Sequence, residues 1–127
     1  MSEKTYTRTL GEDARKRHYH KTEKGRVVDF VVQLEVFIEG KWMTVIRYDC
    51  YHDFVHIDRY NIRGEKEKEE VYLSYEESLT LADEDINVHW EVYKDSLLFF
   101  ITIKRLGPAH SRPVSYKISL KTPISKS

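Results

Sequence analysis

The sequence predicts an α+β fold, in which a mainly antiparallel, curved β-sheet packs against one long amphipathic helix. Three observations favour this class. Apolar residues alternate with period two from Val27 to Ile38, several shorter strand-like segments follow, and residues 75–95 then carry apolar residues at spacings of three and four. The 127 residues are enough for one ordinary domain.

The first predicted element is a strand from Val27 to Ile38, whose even-numbered residues form one apolar face. This face contains Val28, Phe30, Val32, Leu34, Val36 and Ile38. The segment Glu39-Gly40-Lys41 supplies a tight turn, and Trp42 to Tyr48 returns as a second strand. The two strands predict a β-hairpin.

Two further strands are predicted after this hairpin. Tyr51-His52-Asp53 has the composition of a turn, and Phe54 to Tyr60 forms the third strand. Residues 63–68 are mostly charged and predict a solvated hairpin tip. Glu70 to Ser74 then forms a short fourth strand.

A helix is predicted over residues 75–95, with Ser74 as its cap and Glu76 and Glu77 in the first turn, where the helix dipole favours negative charge. Its apolar stripe contains Leu79, Ala82, Ile86, Trp90, Tyr93 and Leu97. Its solvent-exposed face is expected to contain Asp83, Glu84, Asn87 and Glu91. One or two C-terminal strands are expected after it, from Leu98 to Arg105 and from Pro113 to Lys121.

These elements divide the chain into three parts. We expect a basic N-terminal arm at residues 1–25, because this stretch lacks apolar periodicity. A single α+β domain follows at residues 26–121, and a C-terminal tail at residues 122–127.

The composition argues against several classes of protein. The chain is 40% hydrophobic, which is too apolar for disorder throughout. Its longest apolar run, Leu97 to Ile101, is far shorter than the roughly 20 residues of a membrane span. The single cysteine, Cys50, excludes an internal disulfide and a cysteine-based zinc site. We therefore expect a cytoplasmic protein that does not contact a membrane. The scarcity of Gln, Asn, Cys and Met is typical of proteins from hot environments.

The net charge of zero conceals oppositely charged blocks. Residues 1–26 carry eight basic and four acidic side chains, residues 65–95 carry three and eleven, and residues 96–127 carry six and none. Such blocks can be solvated faces that neutralise each other, or the two chain ends can together form a basic surface for RNA. The candidate nucleic-acid-binding residues are Arg15, Lys16, Arg17, His20, Lys104 and Arg105.

A dense polar constellation lies between residues 47 and 58, and the candidate catalytic residues are Arg47, Asp49, His52, His56 and Asp58. Three interpretations remain open. The constellation is a structural ion-pair patch at a sheet edge, or a metal-free ribonuclease-type site, or a site in which two histidines and a carboxylate bind a divalent metal. In a ribonuclease a histidine takes the 2′-hydroxyl proton and Arg47 holds the phosphate. We predict neither a cofactor nor a bound metal.

Two other features could add to this site. His18 and His20 share a strand face, so His20 either joins the patch as a second acid–base group or belongs to an exposed arm. Cys50 is either a nucleophile beside the histidines or a small buried hydrophobe. The sequence contains no P-loop, no Gly-x-Gly-x-x-Gly, no Gly-x-Ser-x-Gly and no His-Glu-x-x-His, so the corresponding enzyme classes are unsupported.

Residues 18–97 resemble a family of small uncharacterised archaeal and bacterial proteins. The shared pattern is Trp…Arg-Tyr-Asp-x-x-His-x-x-x-His followed by a helix with Asn-Trp-x-x-Tyr; here it starts at Trp42, runs through Arg47 to His56 and ends at Tyr93. This chain departs from it with Asn87-Val-His-Trp90. The Arg-Tyr-Asp…His pattern is also similar, more loosely, to toxin-like proteins of toxin–antitoxin pairs. The resemblance implies the same patch residues and no established activity.

Two functions from different classes follow from these patterns. One is RNA binding or metal-independent RNA cleavage, toxin-like, through the Arg/His/Asp patch. The alternative is a non-catalytic protein-interaction or homo-oligomeric module that uses its acidic and basic faces, with a protein partner or a second copy of the chain. The sequence alone leaves open whether the protein is an enzyme.

Overall fold

A computed structural model describes residues 1–51 and 53–106, with side chains as far as Ile103. Six strands and one helix follow in chain order: β1 Ser2–Gly11, β2 Ala14–Glu23, β3 Arg26–Ile38, β4 Lys41–Tyr51, β5 Phe54–Tyr60, β6 Lys66–Val71 and α1 Tyr75–Leu106. The strands form one antiparallel sheet in the order β1-β2-β3-β4-β5-β6, and α1 packs on it. The predicted α+β class is confirmed.

Two of the hairpins are closed by the turns that their sequences demand. Both loop residues have positive φ in the β2–β3 turn, Lys24 at 52° and Gly25 at 77°, and in the β3–β4 turn, Glu39 at 53° and Gly40 at 83°. Positive φ at both positions matches the twist of the flanking strands, and glycine adopts it without steric cost. The register of β3 against its neighbours is therefore set locally.

The core lies between α1 and the even-numbered face of β3, as the alternation predicts. Phe30, Val32, Leu34 and Val36 are completely buried there. The residues of α1 that pack on this face include Ala82, Ile86, Tyr93 and Leu97, together with the partly buried Leu79 and Trp90. We call this side of the sheet the helix face and the opposite side the outer face. In the part of the chain that the structure describes, α1 is the sole helix, and it lies on the helix face.

Residues 1–25 do not form the expected arm. They form β1 and β2, which pair with each other and, through β2, with β3. The sequence of β2 shows no alternation of apolar and polar residues, because Lys16 and His18 occupy its helix-face positions. Both side chains are nevertheless almost fully buried.

The expected strand from Leu98 to Arg105 is also wrong, because α1 continues to Leu106. Leu97 and Ile101 extend the apolar stripe at a spacing of four, and this periodicity outweighs the β-like composition of the segment. No helix among the described residues is both long and apolar enough to span a membrane. The expected strand Pro113 to Lys121 and the tail lie outside the described residues.

The start of α1 is fixed by its predicted cap. Ser74 Oγ accepts a hydrogen bond from the Glu77 backbone N–H at 3.0 Å, and Glu77 Oε1 accepts one from Ser74 N–H at 3.2 Å. Glu76 reaches back to the sheet, where its carboxylate accepts from the Val27 N–H at 2.9 Å and from Arg26 Nε at 3.0 Å. These hydrogen bonds lower the pKa of Glu76 to about 2 and tie the helix to the start of β3.

Trp90 packs against Gly11 at the end of β1, where any larger residue would collide. A Cβ built on Gly11 lies 2.9 Å from Cη2 of the Trp90 indole. We predict that Gly11→Ala lowers the free energy of unfolding by about 1–3 kcal/mol, the usual effect of overpacking. Urea denaturation measures it. In a Trp90→Leu background the same substitution should have little effect, and an equal loss in both backgrounds would contradict this contact.

Candidate functional site

Four of the five predicted catalytic residues lie together on the outer face. In the β4–β5 ladder Arg47 is opposite Asp58, and Asp49 is opposite His56. Cross-strand neighbours of this kind have Cβ atoms about 5 Å apart. Arg47 Nε donates a hydrogen bond to Asp49 Oδ2 at 3.0 Å, as the cost of an unpaired guanidinium requires. We call these four residues the outer-face cluster.

His56 is the candidate base of the outer-face cluster, and its tautomer follows from one contact. Its Nε2 lies 3.1 Å from the carbonyl oxygen of Tyr51, which can only accept, so Nε2 carries the proton. In the neutral ring Nδ1 then has a free lone pair. Nδ1 is buried and has no hydrogen-bond partner among the described residues. The site therefore holds a basic nitrogen that no described group has engaged.

Asp58 brings two further cations to the site. It is 3% exposed although it lies on the outer face. Lys66 Nζ is 3.7 Å from Asp58 Oδ2, and Lys68 Nζ is 4.0 Å from Oδ1. Sequence reasoning missed both lysines because it assigned residues 63–68 to a turn. Lys66, Lys68 and Glu70 follow one another at intervals of two residues, and this periodicity was the sequence signal for a strand.

This arrangement combines a base with groups that bind an anion. Arg47, Lys66 and Lys68 carry three positive charges beside Asp49 and Asp58, and Glu70 lies opposite His56 in the β5–β6 ladder. An anionic group such as a phosphodiester near His56 would compete with these carboxylates for the cations. His52 lies outside the described residues, and its place in a shared pocket with Arg47 and His56 stays a prediction. No group of three or more His, Cys, Asp or Glu side chains suited to a metal was found in the described part of the chain.

Two of the predicted nucleic-acid-binding residues, Arg15 and Arg17, also point to the outer face. Arg15 Nε is 2.6 Å from Glu35 Oε1, and Arg17 Nη1 is 3.7 Å from Glu35 Oε2. The Arg15 guanidinium stacks over the Trp42 ring at 4.0 Å, and Trp42 is partly exposed. This pair gives the outer face a flat surface of an aromatic ring and a guanidinium.

The other predicted nucleic-acid-binding residues do not join that surface. Lys16 and His20 lie on the helix face, opposite Leu34 and Phe30 of β3. His20 is therefore separated by the sheet from Arg47, and the proposed partnership between them is wrong. Lys104 and Arg105 belong to the last turns of α1, and their side chains lie outside the described part of the structure.

Lys16 is instead the centre of a polar contact between β2 and α1. Its side chain is 2% exposed, and its Nζ donates to Asp83 Oδ1 at 3.0 Å and to Asn87 Oδ1 at 3.2 Å. The expectation that Asp83 and Asn87 contact only solvent is therefore wrong. A buried ammonium group is unfavourable unless it is paired, and Asp83 and Asn87 of α1 are the residues that pair with it.

His18 continues this contact toward β1. Its Nδ1 is 3.5 Å from Asp83 Oδ1, its Nε2 is 2.7 Å from His20 Nδ1, and its ring stacks on Tyr6 at 4.5 Å between centroids. Burial lowers the pKa of His18 below 6.5, with further lowering from His20 and Lys16 and an opposing effect from Asp83. The ring is therefore held mostly neutral at pH 7.

A second buried contact joins α1 to β4 through Asp85. This carboxylate accepts from the Tyr48 hydroxyl at 2.6 Å, from the Tyr93 hydroxyl at 2.8 and 2.9 Å, and lies 3.0 Å from His89 Nδ1. Burial and the nearby carboxylate raise the pKa of both tyrosines, so the hydroxyls stay protonated and keep donating. The sequence signal for this contact was Asp85 itself, an aspartate inside the apolar stripe, and the predicted site did not include it.

Cys50 does not have the properties of a nucleophile. Burial raises the pKa of its thiol to about 11, so the thiolate is scarce at neutral pH. This agrees with the alternative that it is a partly buried small hydrophobe.

The comparison with known families decides where the chain belongs. A family model described as a domain of unknown function, DUF7718, matches residues 1–98. The chain belongs to this family. The match agrees with the expected resemblance to an uncharacterised family and includes β1 and β2, which the resemblance omitted in part. It also includes every residue of the outer-face cluster. No curated protein and no solved structure matches the chain.

The buried His18 makes stability depend on pH. Since its pKa is lowered in the folded state, the unfolded chain binds the proton more readily, and stability falls as pH drops below about 6.5 toward the folded-state value. We predict that His18→Gln flattens this loss relative to the wild type, measured by urea denaturation at about pH 7.5 and pH 5. Equal losses in the two proteins would contradict the buried, neutral ring.

Proposed function

We propose that DUF7718 in this chain is a metal-independent, RNA-cleaving domain whose site is the outer-face cluster together with Lys66 and Lys68. The observation that carries the proposal is His56, a base with a free lone pair at Nδ1. It shares a strand face with Asp58, which Lys66 and Lys68 approach to 3.7 and 4.0 Å and which lies opposite Arg47. The loose similarity of the Arg-Tyr-Asp…His pattern to toxin-like proteins supports the same residues.

The chemistry requires one base, one anion-binding group and one acid. His56 Nδ1 takes the proton of the ribose 2′-hydroxyl, the 2′-oxygen attacks the phosphorus, and the bond to the 5′-oxygen breaks. The leaving oxygen takes a proton from an acid, for which His52 is the candidate. The products are a 2′,3′-cyclic phosphate and a 5′-hydroxyl, while Arg47 and the lysines stabilise the charge on the phosphorane.

Access to His56 depends on Tyr51, at the end of β4. The Tyr51 and His56 rings lie 6.2 Å apart in an edge-on arrangement, and Tyr51 is 58% exposed. The proposal requires that the Tyr51 ring move away and that Nδ1 become accessible to the ribose, and exposed side chains change rotamer rapidly. The Arg15–Trp42 stack on the same face gives bases of a single strand a second place to stack.

Cleavage of a labelled single-stranded RNA tests the base. We predict that His56→Gln lowers the rate by at least about 100-fold, the usual contribution of a general base, while excess EDTA has no effect. His89→Gln is the matched control, because His89 lies on α1 and bonds to Asp85. Loss of cleavage in EDTA would favour the metal alternative, and an undiminished rate in His56→Gln would exclude His56 as the base.

Binding of a 2′-O-methyl RNA, which lacks the 2′-hydroxyl and is not cleaved, tests the anion-binding role. We predict that Arg47→Met weakens binding and reduces the dependence of log affinity on log salt by about one. Arg63→Met is the matched control, since Arg63 is exposed in the β5–β6 turn. Equal effects of the two substitutions would contradict a site at Arg47. No RNA binding by the wild type, together with a dimer in solution, would favour the interaction module.

A further inference from the structure

β1 forms one edge of the sheet, and in the described part of the chain it pairs only with β2. The N–H and C=O groups along the free side of an edge strand are a template for a further strand. The opposite edge, β6, is protected by its composition, because five of its six residues are charged. β1 is longer, with ten residues, of which Glu3, Lys4 and Arg8 are charged. It is therefore the edge more open to pairing.

The side chains of β1 suit a strand that pairs on both sides. Thr5 and Thr7 are exposed on the outer face. Threonine is β-branched and favours strands, and β1 contains no proline that would remove a donor from its free edge. Its β-bulge lies near the end, between Thr9 and Gly11, so residues 2–8 form an uninterrupted strand.

A second copy of β1 can pair with the first across a two-fold axis. Two such strands are antiparallel, and the axis between them is perpendicular to the sheet. Both copies then keep their helix face on the same side, so residues that lie opposite each other belong to the same face. Because the faces alternate along a strand, the residue on the axis determines every other pair.

Charge excludes most of the possible registers. With Glu3, Lys4 or Arg8 on the axis, that residue would face the same residue of the second copy. With Tyr6 on the axis, Lys4 would face Arg8. Like charges directly opposite each other are destabilising. With Thr7 on the axis, the ladder would run into the β-bulge near the end of β1.

The register with Thr5 on the axis avoids both problems. The residues opposite each other are then Lys4 and Tyr6, Glu3 and Thr7, and Ser2 and Arg8. No like charges lie directly opposite over residues 2–8. Lys4 Nζ is already 5.5 Å from the centroid of the Tyr6 ring in its own chain, and the pairing brings it a second aromatic ring.

We propose that this protein forms a two-fold dimer in which β1 of each copy pairs antiparallel with β1 of the other, with Thr5 on the axis. The two six-stranded sheets join into one continuous sheet, with both α1 helices on one side and both outer faces on the other. The dimer is independent of RNA cleavage at His56.

Thiol cross-linking tests the register in a Cys50→Ser background, which removes the native thiol. Directly opposite residues of an antiparallel pair have Cα atoms about 5 Å apart. Thr5→Cys should therefore be joined across the dimer by a short bifunctional thiol reagent. Thr7→Cys is the matched control, because it is exposed on the same face and its two copies are separated by about 13 Å along the strands. Cross-linking that is absent at Thr5, or equally fast at Thr7, would overturn the register.

Sedimentation equilibrium tests the dimer itself. A ladder of this length is a small interface, so we expect a dissociation constant of about 10–100 μM. Thr5→Lys brings two ammonium groups together on the axis and should weaken the dimer at least about tenfold. Thr7→Lys adds the same charge opposite Glu3 and should not weaken it.

The proposal is overturned if the wild type stays monomeric up to about ten times the expected dissociation constant, since β1 would then pair with some other strand or with none. It is also overturned if the two lysine substitutions weaken the dimer equally. His56→Gln should dimerise as the wild type does, so failure of the dimer and failure of the RNA site are seen separately.

Discussion

The structure depends on one constraint, which is that α1 covers a single face of the six-stranded sheet. Two buried polar contacts hold it there: Asp85 with Tyr48 and Tyr93, and Lys16 with Asp83. Removing one partner from a buried polar contact leaves the other unpaired in a medium of low dielectric, so these contacts specify one position of the helix. Strand parity then assigns each side chain to the helix face or the outer face.

This constraint explains why basic and histidine residues that are close in sequence lie on opposite faces of the sheet. Arg15 and Arg17 lie on the outer face, while Lys16 between them is buried under α1. His18 is likewise held neutral on the helix face. Charge blocks in the sequence therefore do not become charged surfaces as a unit, because neighbouring residues in a strand point to opposite sides.

The sequence was informative where one strand face is apolar. The even-numbered face of β3 and the bounds of β5, Phe54–Tyr60, were predicted correctly. β2 was not, because its buried positions hold Lys16 and His18, whose burial depends on partners about 70 residues away in α1. The last third of α1, residues 96–106, was missed because its β-branched and aromatic residues suit a strand as well.

For the candidate site, the alternation of side chains along a strand predicted that Arg47 and Asp49 lie on one face of their strand. It also predicted that His56 and Asp58 lie on one face of theirs. The pairing register then joined the two pairs. Lys66 and Lys68 were not predicted, because a charged strand at a sheet edge has the composition of a turn.

The central claim is that RNA meets the outer face at His56, with the proton on Nε2. The most direct measurement is a long-range ¹H–¹⁵N correlation spectrum of the histidine side chains during titration with a 2′-O-methyl RNA. We predict an Nε2–H tautomer for free His56 and a large change at its Nδ1 on binding, with His18 and His89 unaffected. An Nδ1–H tautomer, or changes confined to the helix-face histidines, would contradict the account.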